Sequence, residues 1–270
     1  LLPCSCFVTL RSVSRCLLPI LLPACLAACT SIAPAPPPAA SDALWRVIQR
    51  DCRPADRQPG CLLLDESALH RHVLVKDHHG AYQYLLMPLD KISGIESAAL
   101  YQPGSPNYFA AAWQARRFTE QALGRPLPRR FASLALNSPH GRSQHQLHIH
   151  VDCLRGEVAE GVAAQLAGLD SQWRPLPTRL RDHAYQALYL PGEQLTANPL
   201  HLLEQRVGLA AMGEWSLLVA GAEDAERGPG FVLLATRVDP ESGNEASAEE
   251  LQDHACAALT GSAQALERER

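Results

Sequence analysis

Hydrophobic and polar positions change period several times along the chain. Asp42-Ala-Leu-Trp-Arg-Val-Ile-Gln-Arg50 spaces its apolar residues for a short amphipathic helix, with Asp42 at its start. His72–Lys76 and Tyr82–Pro88 are apolar and aromatic runs that predict strands, and the Asp77-His-His-Gly80 turn between them predicts a hairpin. Residues 107–123 predict a helix: Asn107 can cap it, Phe109, Trp113 and Phe118 lie within it, Gly124 follows its end and Pro126 lies beyond. Phe131–Leu136 and Leu147–Val151 predict strands, and Val158–Leu169 predicts a helix. Two more strands, Trp215–Ala220 and Phe231–Thr236, flank an acidic connection. Ser247-Ala-Glu-Glu250 has the form of a capping box and predicts a final helix through Leu259. Antiparallel-compatible strands with interspersed helices predict an α+β fold in a single domain.

The start of the chain breaks this pattern. Arg11 and Arg15 precede an uncharged apolar run from Cys16 to Ala28, too short for a comfortable membrane span and suited to an export signal. Leu26-Ala-Ala-Cys29 resembles a bacterial lipobox. That resemblance implies a lipoprotein-type signal peptide over residues 1–28 and a lipid anchor on Cys29. An ordinary signal peptide and an uncleaved anchor are the alternatives. Pro34, Pro36, Pro37 and Pro38 make residues 29–41 a stiff Pro-rich tether, and the folded domain is expected over residues 42–265. The expected setting is a bacterial membrane surface facing the periplasm.

Composition narrows the partners. The 270 residues are 47% hydrophobic and 19% charged, which excludes a disordered polymer. The net charge of −4 argues against a nucleic-acid partner. It also argues against attraction to anionic lipid by charge, so the anchor must supply proximity to a membrane. Four of the nine cysteines fall in the leader, Cys29 follows them, and Cys52, Cys61, Cys153 and Cys256 lie in the body. Four cysteines allow three pairings. In an oxidising compartment the favoured set is Cys52–Cys61, closing a short Pro/Gly-rich loop, and Cys153–Cys256, tying a central strand to the C-terminal helix. Four free buried thiols are the alternative.

Chemistry concentrates in residues 137–153. From Gln146 the pattern alternates strictly, so Leu147, Ile149 and Val151 face a core while Gln146, His148, His150 and Asp152 face away from it. His148 and His150 are then neighbours, about 7 Å apart along a strand. Neutral imidazole is a nucleophile near neutral pH, and imidazolium donates to phosphoryl oxygens. The same pair read alone also fits a metal site completed by Asp152 or Cys153, or a surface accident.

The flanking residues carry a resemblance. Asn137, then Gly141-Arg-Ser143, then Leu147-His-Ile-His150 resembles the histidine-triad superfamily of nucleotide hydrolases and transferases. His148 falls on the middle and His150 on the last histidine position, while Gln146 stands at the first. A closer resemblance, over roughly residues 44–260, is to the CDP-diacylglycerol pyrophosphatase family. It is carried by Tyr82–Pro88, Ile95-Glu-Ser97, Trp113-Gln-Ala-Arg116, Ser133–Ser138, Gly141-Arg-Ser-Gln144, Leu147-His-Ile-His150 with Cys153, Trp173-Arg-Pro-Leu-Pro177, Phe231–Thr236, Ala246-Ser-Ala-Glu-Glu250 and Gln252-Asp-His-Ala-Cys256.

That resemblance implies an antiparallel histidine-triad-like sheet with flanking helices. It implies hydrolysis of CDP-diacylglycerol to CMP and phosphatidate through a CMP–histidine intermediate, without a cofactor or metal. His148 is then the nucleophile. His150 and Ser143 act on the phosphate, and Asn137, Arg142, Gln144 and Gln146 bind the substrate. Arg142 reads equally as a loop charge. Gln146 cannot carry a proton as a histidine would, and His145 beside it is either a partial substitute or a solvated residue. Trp173 reads as packing or as a stacking surface for cytosine, and His183 and His254 as structural or surface residues. His70, His72, His78 and His79 show no ligand spacing. Two other functions fit the same residues: a hydrolase or transferase of soluble nucleotides, and a non-enzymatic metal-binding lipoprotein using His148, His150 and Asp152.

Overall fold

The strand-forming runs assemble into one sheet. The computed structural model describes residues 41–67 and 69–261. The expected leader, the Cys29 anchor and the tether up to residue 40 lie outside the described residues, as does the end of the expected domain beyond residue 261. The strands are β1 (Cys61–Asp65), β2 (His72–Lys76), β3 (Tyr84–Pro88), β4 (Ala132–Leu136), β5 (Ile149–Cys153), β6 (Arg174–Pro175), β7 (Gln186–Pro191), β8 (Trp215–Asp224) and β9 (Gly228–Arg237). They pair antiparallel throughout, in the order β1-β2-β3-β5-β4-β8-β9-β7-β6. The fold is α+β in a single domain, with helices α1 (Ala43–Val47), α2 (Tyr108–Leu123), α3 (Gly156–Gln165) and α4 (Pro199–Val207).

Helix α2 forms as its sequence predicts. Asn107 accepts from the Ala110 N–H at 3.1 Å, and Gly124 ends the helix in the left-handed region at φ 66°. Phe109, Ala112 and Trp113 share one stripe and are buried against one face of the sheet with Leu86, Ile149, Val151 and Leu134. Helix α4 adds Leu200 and Leu203 to the same layer. Emptying the Trp113 site by substitution to Ala would cost about 3–5 kcal/mol.

The opposite face carries two separate apolar clusters. Ile48 and Cys52 cover Val73, Val75, Leu85 and Met87 at one end. Val158, Ala159 and Val162 of α3 cover Ala135, Leu218, Ala220 and Leu234 at the other. Between them runs a buried polar seam on β5 and its neighbours, containing His148, His150, Asp152, Ser133, Gln83 and Gln252. The alternation along β5 produces both results, because residues facing the α2 layer are apolar and those facing the seam are not.

Several boundaries differ from the sequence reading. The chain enters β5 at Ile149, so Leu147 and His148 precede the strand, and β3 begins at Tyr84 rather than Tyr82. Helix α1 stops at Val47 and continues as a π-helical turn through Cys52, and Asp42 makes no side-chain cap because it pairs with Lys91 at 2.9 Å. The acidic connection is the tip of a long hairpin in which Asp224 accepts from the Glu226 and Arg227 N–H groups. The expected C-terminal helix is broken. Ser247 makes no side-chain cap, a 3-10 turn spans Ala248–Leu251, and Gln252 bridges to Leu154. Helix resumes only at Ala257. Hydrogen bonds from Arg155 N to Leu251 O and from Asp253 N to Cys153 O hold this segment extended beside β5. Strands β1 and β7 and helix α4 were not evident from the pattern.

Candidate active site

The seam opens into a cavity of about 490 Å³ whose walls come from distant parts of the chain. Residues 77–79 of the β2–β3 turn, Gly141–Gln144, the start of α1, Glu249 and His254 surround His148 and His150. A larger cavity, about 690 Å³, lies on the α2 side of the sheet and contains neither histidine. The four N-terminal histidines divide accordingly: His70 and His72 line the larger cavity, His78 and His79 the smaller.

His148 Nδ1 donates to the Gln146 carbonyl oxygen at 2.7 Å. This fixes the tautomer and leaves the Nε2 lone pair for the cavity. Burial, then the neighbouring His150, pushes the His148 pKa down to about 4, so the ring is neutral at neutral pH. The His150 ring lies edge-on to it, with centroids 4.8 Å apart. Burial lowers the His150 pKa as well. Gln83 Nε2 lies 2.8 Å from His150 Nδ1 and 3.0 Å from Glu249 Oε1, so its two amide hydrogens serve both. His150 Nδ1 thus meets both the Gln83 amide and the Glu249 carboxylate, while its Nε2 is buried without a partner among the described residues and is left for a ligand.

Glu249 is the hub that local sequence patterns did not reveal. Its Oε1 lies 3.2 Å from His150 Nδ1 and 3.5 Å from His254 Nε2, and its Oε2 accepts from Asn137 Nδ2 at 3.1 Å. Burial raises its pKa; nearness to His150 and the Gln83 and Asn137 hydrogen bonds lower it by more, so it is a carboxylate at neutral pH. Deeper in the seam, Asp152 Oδ2 accepts from His254 Nδ1 at 2.6 Å and Oδ1 accepts from the Cys153 N–H at 2.7 Å. The Asp152 hydrogen bond raises the His254 pKa. His254, read from sequence as structural or surface, is a cavity residue. The only cue to Gln83, Glu249 and His254 in the sequence is that each lies in or beside a stretch resembling the family.

The other sequence candidates separate into lining and bracing residues. Ser143 lines the cavity, exposed and without a partner among the described residues. Gln144 also lines it and accepts from the Leu44 N–H at 3.3 Å, tying the loop to α1. Arg142 lies in the wall, yet its guanidinium forks onto Glu96 at 2.7 and 2.8 Å and its Nε donates to the Gln144 carbonyl at 3.1 Å. Gln146 is buried outside the cavity and donates to the Pro88 and Asp90 carbonyls, both at 3.1 Å. Its amide is taken up by the chain leaving β3 and so does not reach the cavity. His145 is exposed, Trp173 donates to the Leu202 carbonyl at 2.9 Å, and His183 pairs with Glu250 at 2.9 Å.

Both disulfides have the expected pairing, Cys52–Cys61 and Cys153–Cys256. The metal arrangement of His148, His150 and Asp152 does not assemble, because Asp152 is turned to His254 and Cys153. Among the described residues the one close group of metal-type ligands is Asp152, Cys153 and Cys256, whose two sulfurs are bonded to each other. The cavity thus holds a fixed neutral imidazole, a second imidazole edge-on to it, and a third backed by a buried carboxylate. A family model described as CDP-diacylglycerol pyrophosphatase matches residues 39–260, which include the whole sheet and every cavity residue.

Proposed function

This chain belongs to the CDP-diacylglycerol pyrophosphatase family, hydrolases of a phosphoric anhydride bond, and we propose that the His148 cavity breaks that bond by covalent catalysis. His148 Nε2 attacks the cytidylyl phosphorus. The bond to the bridging oxygen breaks, phosphatidate leaves with the electron pair, and a CMP–His148 adduct remains. Water then attacks the same phosphorus, the phosphorus–nitrogen bond breaks, and CMP is released. Two displacements at a positioned nucleophile replace one difficult attack by water.

The observation that carries this reading is the 2.7 Å hydrogen bond from His148 Nδ1 to the Gln146 carbonyl, which aims an unprotonated Nε2 into a cavity shared with a second imidazole. His150 Nε2–H donates to a non-bridging oxygen, where charge gathers in transfer. Ser143 adds a hydroxyl contact to the phosphate. Arg142 braces the loop by its fork on Glu96, and Asn137 acts through Glu249.

The histidine-triad relationship and a role in phospholipid metabolism belong to the same proposal. So does an anchored, periplasm-facing setting, which the Leu26–Cys29 lipobox and the two disulfides favour, since disulfides persist in oxidising compartments.

The test is CMP release from CDP-diacylglycerol in detergent micelles by the parent protein and by His148→Ala. Release by the parent and none by the variant is expected. Equal release by both would overturn the assignment of the nucleophile.

A further inference from the structure

Each displacement in this reaction moves a proton, and the residue standing at the first triad position cannot move one. Gln146 is an amide buried against Pro88 and Asp90, outside the cavity. His148 is the nucleophile, and His150 holds its proton for a phosphoryl oxygen. One imidazole lining the cavity is backed by a buried carboxylate. His254 Nδ1 sits 2.6 Å from Asp152 Oδ2; the Asp152 side chain is 0% exposed while that of His254 is 35% exposed. The other ring nitrogen of His254, Nε2, lies 3.5 Å from Glu249 Oε1 in the cavity wall, and a carboxylate behind one ring nitrogen is the usual arrangement of a general acid or base.

The position of His254 is fixed from several sides. The Cys153–Cys256 bond joins the strand next to Asp152 to the segment two residues beyond His254. Asp253 N donates to the Cys153 carbonyl at 2.9 Å, and Gln252 Nε2 donates to the His150 carbonyl at 3.1 Å. Gly80 of the β2–β3 turn packs directly on the His254 backbone, where a Cβ would lie 2.5 Å from His254 Cβ. The ionisable groups facing or flanking the ring are Asp152 from β5, Glu249 from the 3-10 turn, Asp77 and His79 from the β2–β3 turn, His150, and Asp253 beside it in sequence. Acids predominate, and the hydrogen bond to Asp152 raises the His254 pKa against the effect of burial; both favour the protonated ring.

Resting on the reading above, we propose that His254, held by Asp152, is the acid–base catalyst of the reaction. In the first step its Nε2–H passes to the departing phosphatidate oxygen as the phosphorus–oxygen bond breaks. His254 is then neutral. In the second step Nε2 takes a proton from the attacking water as the new phosphorus–oxygen bond forms, and the phosphorus–nitrogen electron pair returns to His148. The enzyme ends as it began, with His254 protonated and His148 neutral. His148 touches His150, His150 touches Glu249, and Glu249 touches His254, so two residues stand between nucleophile and proton carrier in one chain of contacts. In-line displacement requires attacking and leaving atoms on opposite sides of phosphorus.

The experiment uses the full chain with CDP-diacylglycerol in micelles. His254→Gln should lower kcat by about 10²–10³-fold, the usual range for a lost acid–base group, with KM changed by less than about threefold. Mass spectrometry of acid-free quenched His254→Gln should show CMP accumulating on His148, because the second step is slowed. Imidazole in the buffer should restore turnover of His254→Ala, which a purely structural role would not permit. Turnover of His254→Gln within about threefold of the parent would overturn the proposal, as would a large loss that imidazole never rescues. Rescue without any CMP adduct would uphold the dyad and overturn the covalent step instead. Absence of CMP from the parent itself would defeat the underlying reading and the dyad with it.

Discussion

Asn137 and Glu249 hold each other by both ends: the Asn137 amide donates to Glu249 Oε2 at 3.1 Å, and the Glu249 backbone N–H donates to Asn137 Oδ1 at 3.1 Å. This reciprocal pair fastens the end of β4 to a segment more than a hundred residues later. It leaves Oε1 free to meet Gln83, His150 and His254. Asn137 therefore serves the site at one remove, by aiming a carboxylate.

Glu249→Gln should test that aim while nearly preserving shape. Hydrogen bonds to a charged group contribute about 1.5–3 kcal/mol, so kcat for CMP release should fall roughly 10–100-fold. The melting temperature should change less than in Glu249→Ala. A kcat within twofold of the parent would remove Glu249 from the machinery.

His148 makes a prediction about acid stability. Its folded pKa is pushed from 6.5 down to about 4, so as pH falls the unfolded chain takes up this proton first. Stability is lost between those two values, by about 3 kcal/mol when complete. His148→Gln escapes that loss. Urea unfolding at pH 7 and pH 4.5 should show the variant gaining on the parent at the lower pH. A constant difference would mean that His148 does not titrate in this range.

The two disulfides should differ in consequence. Cys153–Cys256 spans 103 residues and Cys52–Cys61 spans 9. Loop-closure entropy assigns roughly 5 kcal/mol to a loop of the first size and roughly 3 to a short one. Replacing Cys153 and Cys256 together by Ala should cost more stability in urea, and should also lower kcat, because Asp152 and His254 flank that bond. Replacing Cys52 and Cys61 should cost stability with little effect on kcat.

Gly80→Ala probes the contact that seats His254. Gly80 has φ +68°, and an added Cβ would meet the His254 Cβ at 2.5 Å and its carbonyl oxygen at 2.8 Å. Both strain the turn, so the melting temperature should fall and kcat should fall with it. Imidazole should recover part of the turnover if the lost component is the seat of His254. A fully active Gly80→Ala would show that the turn can yield without moving the ring.

The seam on β5 was legible because alternation is a local property: apolar residues at 149 and 151 force His148 and His150 to the other face. Gln146, expected to bind substrate, instead donates from its amide to the Pro88 and Asp90 carbonyls, partners that alternation does not announce. The Arg142 ambiguity resolved toward a brace, through a partner in Glu96 that no local spacing announces. Glu249 and His254 were hidden by a different cause. The Ser-Ala-Glu-Glu run has the form of a helix start, but tertiary contacts to Asn137, Arg155 and Cys153 hold the segment out of helix. Long-range pairings decided those residues, and the sequence carries them only as resemblance.

The placement of Glu249 and His254 after β9 also orders events in time. Synthesis delivers β9 before either residue, so a growing polypeptide can pair its whole sheet and present His148 while half of the catalytic row is still missing. Fixing the remaining half then needs an oxidant to take two electrons from the Cys153 and Cys256 thiols together, closing a bond across 103 residues. In the proposed mechanism the full row is thus complete only after β9 has been made and the two thiols have been oxidised. A chain still reduced at these two cysteines would have His148 in place and His254 unsecured.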